Sequence, residues 1–219
     1  YFNDHFFYKR RSVVIKEYEN TLKKTLGPNG VEANVKRAEE LWELGYLPLK
    51  IYAVPEGSLI PIRTPMMAFW NTDPRFYWLT NYIETLLSAE LWQPMTSATI
   101  AYGYKKSLID WCKKTDGLSP MVEFQGHDFS FRGMCGWSAA AKSGAGHLLS
   151  FCGTDTIPAI SYLQKYYGAD IDKELVGTSI PASEHSVAES YGDTNEREYF
   201  RHIIEDVYPD SIVSIVSDT

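Results

Sequence analysis

After about residue 120 the chain repeats one pattern four times. An apolar, strand-like segment runs into a short polar loop, and a helix-compatible stretch leads to the next. The strand-to-loop segments are MVEFQGHDF, HLLSFCGTDT, TSIPASEHS and SIVSIVSDT. WSAAAKSGAG, TIPAISYLQKYYG and NEREYFRHIIEDVY separate them, the last two carrying stripes of Ile157, Ile160, Leu163 and Tyr167 and of Phe200, Ile203, Ile204 and Val207. Strands alternating with helices imply a parallel sheet, because a parallel neighbour is reached only by a crossover. In such sheets ligands bind at the carboxyl ends of the strands. The residues there are His127, Asp128, Phe129 and Arg132 in the first unit, and Thr154 and Asp155 in the second. The third supplies Ser183, Glu184, His185 and Ser186, and the fourth Ser214, Ser217 and Asp218.

Together these side chains offer a flat stacking ring, a guanidinium for an anion, and a histidine with carboxylates to orient it. A phosphorylated ring compound would use the first two side by side in HDFSFRG. Each residue also has a purely structural reading. Phe129 and Phe131 can be core, and Arg132 can bridge a surface acid. Asp155 or Thr156 can cap the helix that follows, and Ser183 a short turn. Asp218 can be a chain-end acid.

The first part of the chain is organised differently. SVVIKEYENTLKKTL (12–26) has Val14, Tyr18, Leu22 and Leu26 at four-residue spacing and predicts a helix, stopped by Gly27-Pro28-Asn29-Gly30. Residues 31–44 predict a second, ended by Gly45. LPLKIYAVPEGSLIPIRTPMMAFWNT predicts short strands and tight turns. DPRFYWLTNYIETLLSAELW predicts a helix with Asp73 as cap and Pro74 first, and a further helix starts at Pro94 and ends before Asp116. Trp70, Tyr77, Trp78, Tyr82 and Trp92 read as core or interface. The expected fold is α/β, with residues 1–117 part of a mixed α/β domain and 118–219 the first half, about four parallel strands, of an irregular α/β barrel.

With 219 residues, 44% apolar, the chain can bury a core, and 14% aromatic content places it among globular proteins. A net charge of −7 argues against general binding of nucleic acid or anionic membranes. No apolar run reaches spanning length and no signal peptide is visible. Three cysteines without metal-ligand spacing read as reduced thiols in the cytoplasm.

The chain resembles the nicotinamide phosphoribosyltransferase family of type II phosphoribosyltransferases. The resemblance lies in AVPEGSLIP, NTDPRFYWLTNYIETLL, LWQPMTSATIA, HDFSFRG, GHLLSFCGTDTIPAI, KYYG, IPASEHS and VSIVSDT, which run in family order from about residue 48 on. It implies an enzyme of NAD salvage that makes nicotinamide mononucleotide and pyrophosphate from nicotinamide and phosphoribosyl pyrophosphate. Magnesium is implied, as is ATP hydrolysis coupled through a phosphohistidine. Residue by residue, Phe129 would stack on the nicotinamide ring. Asp155 would accept from its carboxamide, Ser214 would line the pocket, and Arg132 would hold the 5′-phosphate. His185 would be the phosphorylated histidine, with Asp218 bonded to its ring and Glu184 beside it; no residue of this chain is assigned to the metal. A cytoplasmic homodimer is also implied.

Met134-Cys135-Gly136-Trp137 departs from the small polar stretch the family carries after the Arg-Gly pair. Family segments expected before residue 1, among them part of the first domain, and after residue 219 have no counterpart, and the first residue is not Met. The expectation is that the chain is the middle of a longer enzyme and inactive alone. The competing readings are a nicotinate-specific relative and a non-catalytic, truncated or split-gene remnant.

Overall fold

The computed structural model describes residues 1–115, 117 and 119–217. The fold is mixed α/β, rich in helix and sparing in strand. It falls into two compact units, residues 1–89 and 90–219, whose boundary lies inside a long helix.

In the first unit, α1 (Arg11–Thr25) and α2 (Val31–Leu44) follow the apolar spacing. Gly45 ends α2 at φ 79°, where its N–H reaches the carbonyls of Leu41 and Trp42. Only a residue without Cβ takes that left-handed conformation at little cost. The expected strands form one antiparallel hairpin, β1 (Leu49–Ala53) on β2 (Met67–Asn71). The Asp73 carboxylate accepts from the Arg75 N–H and opens a 3-10 turn, Pro74–Phe76, before α3 begins. The core gathers Leu41, Phe76, Leu79 and Ile83, with Phe2, Phe6, Phe7 and Trp78 packed on it. Trp70, Tyr77 and Tyr82 are exposed rather than core.

The helix expected to start at Pro94 is not separate, because α3 runs unbroken from Leu79 to Lys114. An interior proline forfeits one backbone hydrogen bond and costs about 3 kcal/mol. Contacts around Pro94 offset this in the second unit. Ser97 Oγ donates to the Ser143 carbonyl at 2.7 Å, and Lys142 pairs with Glu90. Ser143 belongs to α5 (Trp137–His147), whose small residues Ala140, Ala141, Gly144 and Ala145 are buried.

The expected strand at 121–126 is instead a short helix, α4 (Val122–Gln125), because a short apolar run does not by itself separate helix from strand. The ladder begins one step later, where β3 (His127–Asp128) pairs in parallel with β4 (Gly153–Thr154). Single parallel bridges join Gly153 to Thr178 and Ala182 to Ser214. All four expected strand positions are therefore joined in parallel, but through short ladders interrupted by glycine and proline. The helices between them are α6 (Pro158–Tyr167), α7 (His185–Tyr191) and α8 (Glu196–Arg201), the last continuing as a π-helical turn, His202–Val207. In α6 the buried residues are Pro158 and Ala159, not the expected stripe, and in α8 the buried residue is Tyr199. Among the described residues no helix is long and apolar enough to cross a membrane.

Candidate functional site

The parallel pairings bring the loops after three segments to one edge. Asp128 organises the first loop. It is 9% exposed, and its Oδ1 accepts from the Ser130 N–H at 2.9 Å. Its carbonyl accepts from the Asp155 N–H at 2.9 Å, tying the first strand end to the second. The resulting tight turn, Ser130–Gly133, leaves Phe129 outside, 58% exposed. Phe129 is thus not core. Its ring stacks on His127, with centroids 4.4 Å apart and planes at 30°.

Asp155 does not cap the next helix. Its Oδ1 accepts from Ser179 Oγ at 2.6 Å and lies 2.9 Å from His127 Nε2. An ionised carboxylate can only accept, so the imidazole nitrogen facing it carries the proton. Partial burial pushes the Asp155 carboxyl upward. The hydrogen bonds from Ser179 and His127, then the charges of His127 and Arg132, outweigh that and hold it below the usual carboxylate range. Arg132 sits exposed in the same 3-10 turn as the loop after Phe129. Beneath them, buried Thr154 accepts the Thr156 N–H at its Oγ1, 2.9 Å away. The departing segment 134–137 is the entry to α5, where Trp137 meets the Phe131 ring edge-on at 5.6 Å.

A second cluster forms one strand further on. Ser183 is buried. It donates its N–H to the Ser214 carbonyl, and its Oγ accepts the Val216 N–H at 2.7 Å. This fixes Ser214 beside the loop that holds Glu184 and His185. Glu184 is the residue before α7 and His185 its first residue; both are exposed. Asp218, expected beside His185, lies outside the described residues. No group of three or more His, Cys, Asp or Glu side chains among the described residues could hold a metal ion.

The sequence singled out Phe129, Arg132 and Asp155, and these three fall in the first cluster. Ser179 was missed because TSIPASEHS reads as a strand through that position. The one signal that could have found it is register, since Thr178 bridges the same Gly153 that pairs with His127.

A family model of the nicotinate phosphoribosyltransferase (NAPRTase) family matches residues 124–209, the span of both clusters up to Ser183 and His185. A nicotinamide phosphoribosyltransferase of Acinetobacter baylyi is 49% identical over 217 residues, covering 99% of this chain and 42% of that protein. Proteins of the same name in Xanthomonas campestris and Mycoplasma genitalium are 37% and 34% identical, covering 80% and 79% of this chain and 37% and 36% of theirs. The chain thus spans less than half the length of these relatives. The chain is thus similar to nicotinamide phosphoribosyltransferases along nearly its whole length, and its strand-end segment matches the nicotinate phosphoribosyltransferase family model.

Proposed function

We propose that the protein transfers a phosphoribosyl group to nicotinamide in NAD salvage. The bond from the anomeric carbon of phosphoribosyl pyrophosphate to pyrophosphate breaks, and a bond from that carbon to the pyridine nitrogen forms. The observation that carries this reading is the chain of contacts from Asp155 through the His127 ring to the exposed Phe129 ring, with the Arg132 guanidinium in the turn that follows. Phe129 offers its face to the pyridine, Asp155 accepts the carboxamide N–H, and Arg132 holds the 5′-phosphate. Ser214 lines the pocket. Holding the base in line with the anomeric carbon accounts for much of the acceleration, because positive charge develops on the ribose and negative charge on the pyrophosphate.

In the same reading His185 accepts a phosphoryl group from ATP, with Asp218 orienting the ring and Glu184 alongside. A neutral imidazole held by a carboxylate is a competent acceptor. Magnesium binding, a homodimer and a cytoplasmic setting belong to this proposal. So does the idea that residues 1–219 alone do not turn over.

The second reading, transfer to nicotinate, draws on the family model's description. Asp155 weighs against it, since an ionised acceptor facing a carboxylate forfeits a hydrogen bond and adds repulsion. The test supplies the full-length protein with phosphoribosyl pyrophosphate and either base and measures mononucleotide and pyrophosphate. Nicotinamide mononucleotide at the higher kcat/KM supports the proposal, and preference for nicotinate overturns it. His185→Ala should abolish ATP coupling while some uncoupled synthesis persists; unchanged ATP hydrolysis would assign the acceptor elsewhere.

A further inference from the structure

The geometry points to His127 and Ser179 as positioning residues that aim Asp155 at the base carboxamide and so set the choice of base. This rests on the phosphoribosyl-transfer reading. The central strand end, at Gly153, is bridged on one side to His127 and on the other to Thr178. His127 and Ser179 therefore approach Asp155 from its two flanks. Both meet the same oxygen, Oδ1, at 2.9 and 2.6 Å. Oδ2 has no hydrogen-bond partner among the described residues, and the side chain is 44% exposed.

Two donors on one oxygen do two things. They fix the rotation of the carboxylate about its last side-chain bond, which leaves Oδ2 directed away from the clamp. They also favour the ionised form, the one that can accept two N–H bonds and offer none. The carboxyl held below its usual range agrees with this. A carboxamide supplies the matching N–H pair, whereas a base bearing a carboxylate does not.

His127 has a second contact, its ring stack on Phe129. One imidazole thus links the stacking surface to the acceptor, so the ring plane and the hydrogen-bonding edge of a bound pyridine are set together. That coupling separates a positioning role from mere support. Weakening the clamp should raise the KM for the amide more than the KM for phosphoribosyl pyrophosphate.

The test uses four variants of the full-length protein, each assayed with nicotinamide and nicotinate. Ser179→Ala removes one donor and Ser179→Thr keeps it. His127→Phe keeps a flat ring against Phe129 but removes the other donor, and His127→Gln restores an N–H near the Nε2 position. We expect Ser179→Ala and His127→Phe each to lower the amide preference by about ten- to a hundredfold, the range for a lost hydrogen bond to a charged group. Ser179→Thr and His127→Gln should recover it. Titration calorimetry of nicotinamide against the same variants should give the same order of affinities even where turnover is lost.

Equal losses with both bases, or a ratio unmoved by Ser179→Ala and His127→Phe while Asp155→Asn shifts it, would overturn the inference and leave the proposed reaction standing. A wild-type protein that transfers to neither base would remove the reaction and the inference together.

Discussion

Asp155 is the residue on which the most chemistry turns. An Asn in its place can present an amide N–H to a carboxylate, so Asp155→Asn should narrow or reverse the preference for nicotinamide. The preference itself should be roughly thirtyfold to several thousandfold, corresponding to about 2–5 kcal/mol for an acceptor facing an acceptor once the bound base shields it from water. Ratios of kcat/KM for the two bases check this, and a ratio untouched by the substitution would remove Asp155 as the selector. The same carboxyl makes a statement about acid. Its pKa in the folded chain lies below the usual value, so it contributes stability at any pH above about 4. That contribution is lost as pH falls through the lowered folded value. Since the side chain is 44% exposed, solvent screening limits it to about 1 kcal/mol or less. Wild type should therefore exceed Asp155→Asn in stability near neutrality by a small margin that shrinks below pH ~4, readable from denaturant midpoints across pH.

At the scale of elements, α5 holds the site together through its small residues. A Cβ on Gly144 would come within 2.7 Å of the Ala159 Cβ on α6 and 3.2 Å of Asp128 Oδ2. A Cβ on Gly146 would meet the Pro94 carbonyl oxygen of α3 at 2.5 Å. The latter neighbour is backbone and cannot swing aside, so Gly146→Ala should force α5 off α3 at a cost of about 1–3 kcal/mol. Thermal unfolding of the variant checks it; an unchanged Tm would mean the helices separate freely there. The same close approach explains why α6 does not bury its large apolar stripe. Ala159 makes the close approach to α5, Pro158 beside it is buried, and Ile157 and Tyr167 are left outward. Hydrophobic periodicity in the sequence locates a helix, but which side packs depends on a partner that the period does not specify.

For the whole molecule, the chain covers less than half the length of its relatives, and its parallel strand positions are joined by a two-residue ladder and single bridges. Ladders so short leave backbone groups at strand ends to be satisfied by neighbours or water, an arrangement prone to association. Residues 1–219 expressed alone should accordingly form little or no nicotinamide mononucleotide, while the full-length protein forms it. A monodisperse preparation of 1–219 with turnover in the ordinary enzymatic range would contradict that. The α/β class, the bounds of α2 and α5, the capped turn at Asp73 and the candidacy of Phe129, Arg132 and Asp155 were all legible in the residues alone. They depend on local rules: helical period, cap chemistry, and polar residues after apolar strands. The continuity of α3 through Pro94, the helical turn at Val122–Gln125 and the clamp of His127 and Ser179 on one carboxylate oxygen were decided only by tertiary structure. A proline can be carried inside a helix when contacts made across the fold offset its lost hydrogen bond. A pair of donors 52 residues apart in the chain meets one acceptor only once the register of the parallel strands is set.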